Sequence, residues 1–322
     1  MKKVLVSGGS GFIGKVLVKK LLANGRKVLV VDNLSSSSTD GLPEESENFF
    51  FIKGDIGQFL NDIKGNKEFI FDEIYHLASP VGPVGVLNYK GKIAYTIINH
   101  LYAAAQAAIE MGAKLCEIST SEVYGKNPIF DQPEDIDKIV PSNYTVRLEY
   151  GVAKLAGEVM LSNMAKANPD FKYIVIRPFN IIGPQQNKDL GFVVPRFITQ
   201  ALANEPMTVY GDGTSKRTFT DVRDISEAII LLMSADFNNR AFNIGNPNNI
   251  ITIGELARKI KYLTNSSSEI VFVDPKELHG KDFEEAWNKI PNIDRIKSLI
   301  GWEPQISLNS SLVDAIKEAK GE

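Results

Sequence analysis

The sequence predicts an α/β fold, a doubly wound parallel sheet with a smaller C-terminal unit. Three observations carry this. Short, near-continuous apolar runs alternate with stretches of helical spacing through the first 178 residues. A glycine-rich turn joins the first apolar run to the first helical one. After Pro178 the alternation gives way to irregular sequence, with one further apolar run, AFNIGN. Strands that read as unbroken apolar runs are covered on both faces, which is the environment of a parallel sheet.

Taken in order, KKVLVSG and KVLVVDN are β-rich, and FIGKVLVKKLLANG between them has helical spacing and stops at Gly25. The chain therefore opens on a β-α-β unit. NFFFIKGDI, EIYHLAS, KLCEIST and KYIVIRP are further strand candidates, and residues 93–112 and 150–168 are the clearest helices among them. AFNIGN reads as a strand returning to the sheet, and a helix is expected from Ile253. The division expected is 1–178 for the sheet domain, completed by parts of 219–246, and 179–322 mainly for the second unit.

The chain has 322 residues, 43% hydrophobic and 23% charged, with a net charge of −3. That balance gives no global attraction to nucleic acid or to an anionic membrane. No segment is long and apolar enough to span a bilayer. The apolar run at the N-terminus is short and broken by glycine, unlike a signal peptide, so a cytoplasmic location is expected. The single cysteine, Cys116, excludes an internal disulfide and reads as a buried, inert thiol. His76, His100 and His279 are scattered without metal-ligand spacing, so no metal is expected.

Gly8, Gly11 and Gly14 lie between a strand and a helix, and Gly9, Gly11 and Gly14 fit G-x-G-x-x-G. Such a turn lets a pyrophosphate approach the backbone at a helix N-terminus, where unpaired N–H groups face it. Asp32 ends the next strand, about 20 residues on, where a carboxylate accepts from an adenosine ribose. This is the pattern of a dinucleotide-binding Rossmann domain. Asp32 repels a 2′-phosphate and DNLSSSS offers no arginine to receive one, so NAD is expected over NADP.

EYGVAKLAGE puts Tyr150 and Lys154 at i and i+4 on one helix face. A neighbouring ammonium favours phenolate, so the pair is a candidate base near neutral pH. In STSEVYG a carboxylate, Glu122, stands among the hydroxyls Thr120 and Ser121 just after a strand. If the strand continued, Thr120 and Glu122 would share a side and Ser121 would face away.

These motifs together resemble the extended short-chain dehydrogenase/reductases, the NAD-dependent nucleotide-sugar epimerases and dehydratases. The likeness runs through GDI at 54–56, HLAS at 76–79, STSEVYG at 119–125, RPFNIIGP at 177–184, VYGDGTSKRTFTDVRD at 209–224 and GWEP at 301–304. It implies a cofactor site of Gly8, Ser10, Gly11, Phe12, Ile13, Gly14, Asp32, Asn33, Leu77, Asn99, Tyr150 and Lys154. Within it Asp55 and Ile56 border the adenine, and Ala78 and Ser79 line the inner end. It implies a nucleotide-diphosphate sugar as substrate, UDP favoured, held by Ser121, Arg147, Asn180, Val193, Val194, Arg196, Tyr210, Arg217 and Lys289. Tyr150 would remove the proton of the sugar's 4-hydroxyl, with Thr120 bonded to that hydroxyl and Lys154 supporting both tyrosine and cofactor ribose. Glu122 and Arg147 are similar to GDP-mannose 4,6-dehydratases and UDP-glucuronate decarboxylases, whereas simple 4-epimerases usually lack the acid. Glu122 is then the group for C5 or C6 chemistry, with loss of water and loss of CO₂ left level. A plain 4-epimerase and a non-catalytic NAD-binding regulator are the competing readings. The resemblance also implies a homodimer through the helices at 93–112 and near Tyr150.

Two departures stand out. Lys289, in NKIPNI, occupies the place of an arginine in the decarboxylases, and lysine cannot form the planar two-point grip on a carboxylate. NHLYAAAQ places Tyr102 at a usual glycine, and the glycine-rich PVGPVGVLNYKGK at 80–92 lies where the sugar should sit.

Overall fold

A computed structural model describes residues 1–89, 91–142, 144–279 and 290–322. A seven-stranded parallel sheet organises it. Its first five strands are β1 (Lys3–Ser7), β2 (Lys27–Asp32), β3 (Phe49–Lys53), β4 (Glu73–His76) and β5 (Lys114–Ile118). Strands Lys172–Pro178 and Arg240–Ile244 complete it. The order runs Arg240–Ile244, Lys172–Pro178, β5, β4, β1, β2, β3. The order reverses between β1 and β4, and ligands of open α/β sheets bind outside the C-terminal ends of strands at such a reversal.

Strand alternation sorts the core into two layers. Val4 and Val6 face α1 (Phe12–Ala23), where Leu17, Val18 and Leu21 cover them. Leu5, on the opposite face, joins the layer of α2 (Ile56–Asp62), α3 (Ile93–Met111) and α4 (Val146–Ala167). Each fully buried leucine or isoleucine contributes about 1.5–3 kcal/mol. Helices α3 and α4 approach closely because a Cβ at Gly157 would come within 2.7 Å of Leu101 Cδ2. Helix α4 starts earlier than residue 150. Thr145 caps it, accepting from Leu148 N at 3.1 Å, and this brings Arg147 onto the helix that carries Tyr150.

The region after Pro178 is more regular than its sequence suggests. It holds α5 (Val193–Leu202), α6 (Val222–Ser234) and α7 (Ile253–Thr264), with a last helix at Leu308–Lys320. Helix α6 packs with α1 on the sheet through Ile225, Ile229 and Leu232. Helices α5, α7 and the last one enclose a second core around Phe197, Leu256 and Leu312. The AFNIGN strand pairs in parallel with Lys172–Pro178, returning to the sheet as expected.

A buried polar network joins the sheet to the segment after the fifth strand. Arg177 donates to Glu158 and to Tyr124 Oη, and Tyr124 Oη donates to Asn243 Oδ1 at 2.6 Å. Ser119 Oγ donates to the same Glu158 at 2.5 Å. Burial pushes the Tyr124 phenol up to about 12 even with Arg177 beside it. Cys116 is buried, and burial likewise raises its thiol. Among the described residues no helix is long and apolar enough to cross a membrane.

Candidate active site

One continuous cleft runs from the glycine turn across the C-terminal ends of β1, β4 and β5 to the second core. At its first end the chain leaves β1 through Gly8, whose φ is +72°. A Cβ there would lie 2.6 Å from Ala78 N, so the turn seats directly on the loop after β4. Gly11 caps α1 with no side-chain hydrogen bond, leaving the first-turn N–H groups to an outside acceptor. Asp32 is buried and accepts from Ser10 N at 3.1 Å and Leu34 N at 2.8 Å, with carboxylate lone pairs remaining. Open N–H groups at a helix start, with an acid at the next strand end, fit the pyrophosphate and ribose of a dinucleotide. Asp55 caps α2 and lies 3.0 Å from His100 Nε2 at what would be the adenine side.

At the centre, β5 stops at Ile118 and a short 3₁₀ turn, Ser121–Tyr124, takes over. The strand register expected for Thr120 and Glu122 is therefore broken. Thr120 instead caps the turn, its Oγ1 accepting from Glu122 N at 3.2 Å. The Thr120 hydroxyl also lies close enough to the Tyr150 phenol to pull its pKa down. Burial raises the Tyr150 phenol, and the pull of Lys154 and of Thr120 the other way does not cancel it. Lys154 thus pulls the phenol in the expected direction, but in the free protein burial outweighs it. Glu122 is gripped at two points by Arg147, Nε to Oε2 at 2.9 Å and Nη2 to Oε1 at 2.8 Å.

Lys154 stands apart from the other expected residues. It does not line the cleft and is 3% exposed. Its Nζ donates to Glu117 Oε1 at 2.9 Å and to the Ile118 carbonyl at 2.6 Å. Burial works against its charge, but Glu117 and Tyr150 outweigh it and raise the ammonium. Burial pushes the Glu117 carboxyl up to about 7 against the pull of Lys154.

At the far end, Arg196 stacks on Tyr210, 3.9 Å from the ring centroid, and donates to the Thr208 carbonyl. Asn180 holds φ +33° and donates to Thr218 O at 2.9 Å. Arg217 is buried and donates to Ser215 Oγ at 2.9 Å. Ser10, Phe12, Ile13, Gly14, Asn33, Ile56, Leu77, Ala78, Ser79, Asn99, Ser121, Val193 and Val194 also line the cleft. Lys289 lies outside the described residues.

The sequence reading missed part of the wall. Residues 185–192 cross the cleft, Asn187 Nδ2 donating to Ser36 O at 2.8 Å and Leu190 O accepting from Val84 N at 3.1 Å. The glycines at 80–85 were a usable signal, since Gly82 and Gly85 pack against Leu190. Glu117 was missed altogether. Its one signal was an acid inside an otherwise apolar strand.

The profile of the NAD dependent epimerase/dehydratase family matches residues 4–245. The chain belongs to that family. Within it, the chain is 31% identical over 324 residues to the UDP-N-acetyl-alpha-D-glucosaminuronate decarboxylase of Bacillus cytotoxicus, covering 98% of this chain and 97% of that one. It is 34% identical over 318 residues to UDP-glucuronic acid decarboxylase 5 of Arabidopsis thaliana, covering 96% and 87%. Among solved structures, the UDP-glucose 4-epimerase of Thermotoga maritima, crystallised with UDP-glucose, superposes with a TM-score of 0.86 at 30% identity, covering 99% of both chains. The family's Rossmann sheet is the one described above, and this member is an enzyme.

Proposed function

We propose that this enzyme uses NAD to oxidise C4 of a UDP-linked uronic acid and then releases CO₂ from C6. The observation that carries the reading is Glu122, gripped at two points by Arg147, in one cleft with Thr120 and Tyr150. C4 oxidation needs only the latter pair and Lys154, and a positioned acid beside them implies a step beyond it. The names of the two decarboxylase relatives support the same reading.

The glycine turn and Asp32 would hold the cofactor's pyrophosphate and ribose. Bound NAD supplies the hydride acceptor for C4 and a positively charged ring. Tyr150 takes the proton of the 4-hydroxyl, Thr120 orients that hydroxyl, and Lys154 holds positive charge behind the phenolate. The 4-ketone makes the C6 carboxylate that of a β-keto acid. Glu122, a fixed acid, disfavours the charged carboxylate against neutral CO₂; the C5–C6 bond breaks, its electron pair passes into the C5 enolate of the 4-ketone, and that enolate takes a proton from water in the cleft. Asn180, Arg196, Tyr210 and Arg217 would hold the nucleotide diphosphate.

A 4-epimerase is the second reading, because an acid so fully engaged by an arginine is also what a structural ion pair looks like. Incubation with UDP-glucuronate, UDP-N-acetylglucosaminuronate and UDP-glucose, read by product mass, tests both. Loss of CO₂ from a uronate is expected. A new isomer of unchanged mass would replace the decarboxylase reading with the epimerase one.

A further inference from the structure

Glu117 is 1% exposed and sits in β5 among Leu115, Cys116 and Ile118, where an apolar side chain would pack. Its Oε1 accepts from Lys154, but its Oε2 is buried with no hydrogen-bond partner, 4.0 Å from His76 Nε2. His76 is in turn held through Nδ1 by Ser7 Oγ at 2.7 Å, on the last residue of β1 before the glycine turn. A half-satisfied buried carboxylate is costly to a fold. Lys154 has three N–H donors, and Glu117 and the Ile118 carbonyl take two. The remaining one is thereby oriented by the other two.

We propose that Glu117 is a positioning residue that fixes the Lys154 ammonium and keeps it charged at pH values where a buried lysine would otherwise lose its proton. The groups facing it bear on the assignment. From α4 come Lys154, Tyr150 and Glu158, from β4 His76, from α3 His100 beyond it, and from the strand Lys172–Pro178 Arg177, already paired with Glu158. Burial, with Lys154 and His100 adding to it, holds His76 well below its ordinary value, so His76 is neutral and supplies no competing charge. Arg177 is satisfied by Glu158 and Tyr124. Glu117 is therefore the carboxylate that Lys154 contacts directly. The link to catalysis rests on the proposed NAD-dependent reading, in which Lys154 supports Tyr150 and the cofactor ribose; the ionisation of Lys154 does not.

The test follows the ¹³Cε chemical shift of Lys154 from pH 6 to 11 in the ligand-free protein, assigned with Lys154→Met. Wild type, Glu117→Gln and Glu117→Asp are compared, with thermal unfolding to verify that each folds. Glu117→Gln should lower the Lys154 midpoint by at least one pH unit, and Glu117→Asp, which keeps the charge, should restore part of it. Coincident midpoints in wild type and Glu117→Gln overturn the assignment. So does an Asp variant that shifts as far as Gln, since packing and not charge would then be responsible. NAD titration at pH 9 is the second readout, with at least tenfold weaker binding expected for Glu117→Gln. Equal binding by the two proteins refutes the positioning role. Failure of wild type to bind NAD at all refutes the role in cofactor support together with the proposed function, and the chemical-shift result still decides whether Glu117 keeps Lys154 charged.

Discussion

Replacing Gly11 by alanine separates the fold from the cofactor site. Gly11 has φ −72° and ψ 173°, a conformation alanine adopts without strain. Its added Cβ would meet only Gly8 O, at 3.2 Å, a tight contact that needs a shift of a few tenths of an ångström, and otherwise project into open cleft. Alanine is a poorer helix cap than glycine by about 0.5–1 kcal/mol, and its stiffer unfolded chain returns about 0.4–1 kcal/mol. Stability should therefore change by less than about 1 kcal/mol, a Tm shift of roughly 2–4 °C at most. Binding should change far more. In the proposed cofactor site the methyl group would stand where a pyrophosphate must come to reach the first-turn N–H groups. Losing two charge-assisted hydrogen bonds, at about 1.5–3 kcal/mol each, weakens NAD by roughly 10²- to 10⁴-fold. Calorimetric titration with NAD, beside thermal unfolding and a UDP titration as control, checks this. A Gly11→Ala protein that binds NAD within tenfold of wild type refutes the placement of the pyrophosphate. Gly8→Ala is the contrasting case. Positive φ and a 2.6 Å approach to Ala78 N should cost stability as well as binding.

Three further outcomes are expected. NAD should bind at least about tenfold tighter than NADP, and Asp32→Ala should narrow that gap, because the buried carboxylate meets the 2′-phosphate; paired titrations check it, and equal affinities in wild type count against it. Glu122→Gln, in a single turnover on a uronate, should accumulate reduced cofactor and 4-keto sugar, whereas Tyr150→Phe should give neither; normal product formation by Glu122→Gln makes that acid structural. Tyr95 and Tyr102 on α3 and Val152 and Val159 on α4 are exposed apolar side chains, so a homodimer should appear by light scattering at micromolar concentration; a monomeric mass contradicts it.

The sheet was legible because strands buried on both faces are dominated by short apolar runs, even where a single polar residue such as Glu117 interrupts one. VLV in β1 and IVI in the strand Lys172–Pro178 announce themselves locally. The elements after Pro178 were not legible, because many are fixed by distant partners. Ile181–Ile182 is a strand only because it pairs with Thr220–Asp221. The start of α4 was missed because its cap, Thr145, lies outside the apolar periodicity that marks the helix. In the site, Gly8, Gly11, Gly14, Asp32, Thr120 and Tyr150 could be read from motif spacing, and each lines the cleft. That Lys154 turns from the cleft toward Glu117 could not, since the pair joins a strand to a helix more than thirty residues on.

The place of Arg240–Ile244 at the sheet edge has a consequence for synthesis. The strand Lys172–Pro178, with Tyr173, Ile174, Val175 and Ile176 buried in the finished protein, pairs on its outer side only with a segment translated about 60 residues later. At roughly 5–20 residues per second, that edge waits on the order of 3–12 s on the ribosome with its backbone groups unmatched. An apolar, open edge is a template for a neighbouring nascent chain. Slowing elongation between codons 178 and 240 should therefore lower soluble yield, while a pause after codon 250, with the partner strand already made, should have less effect.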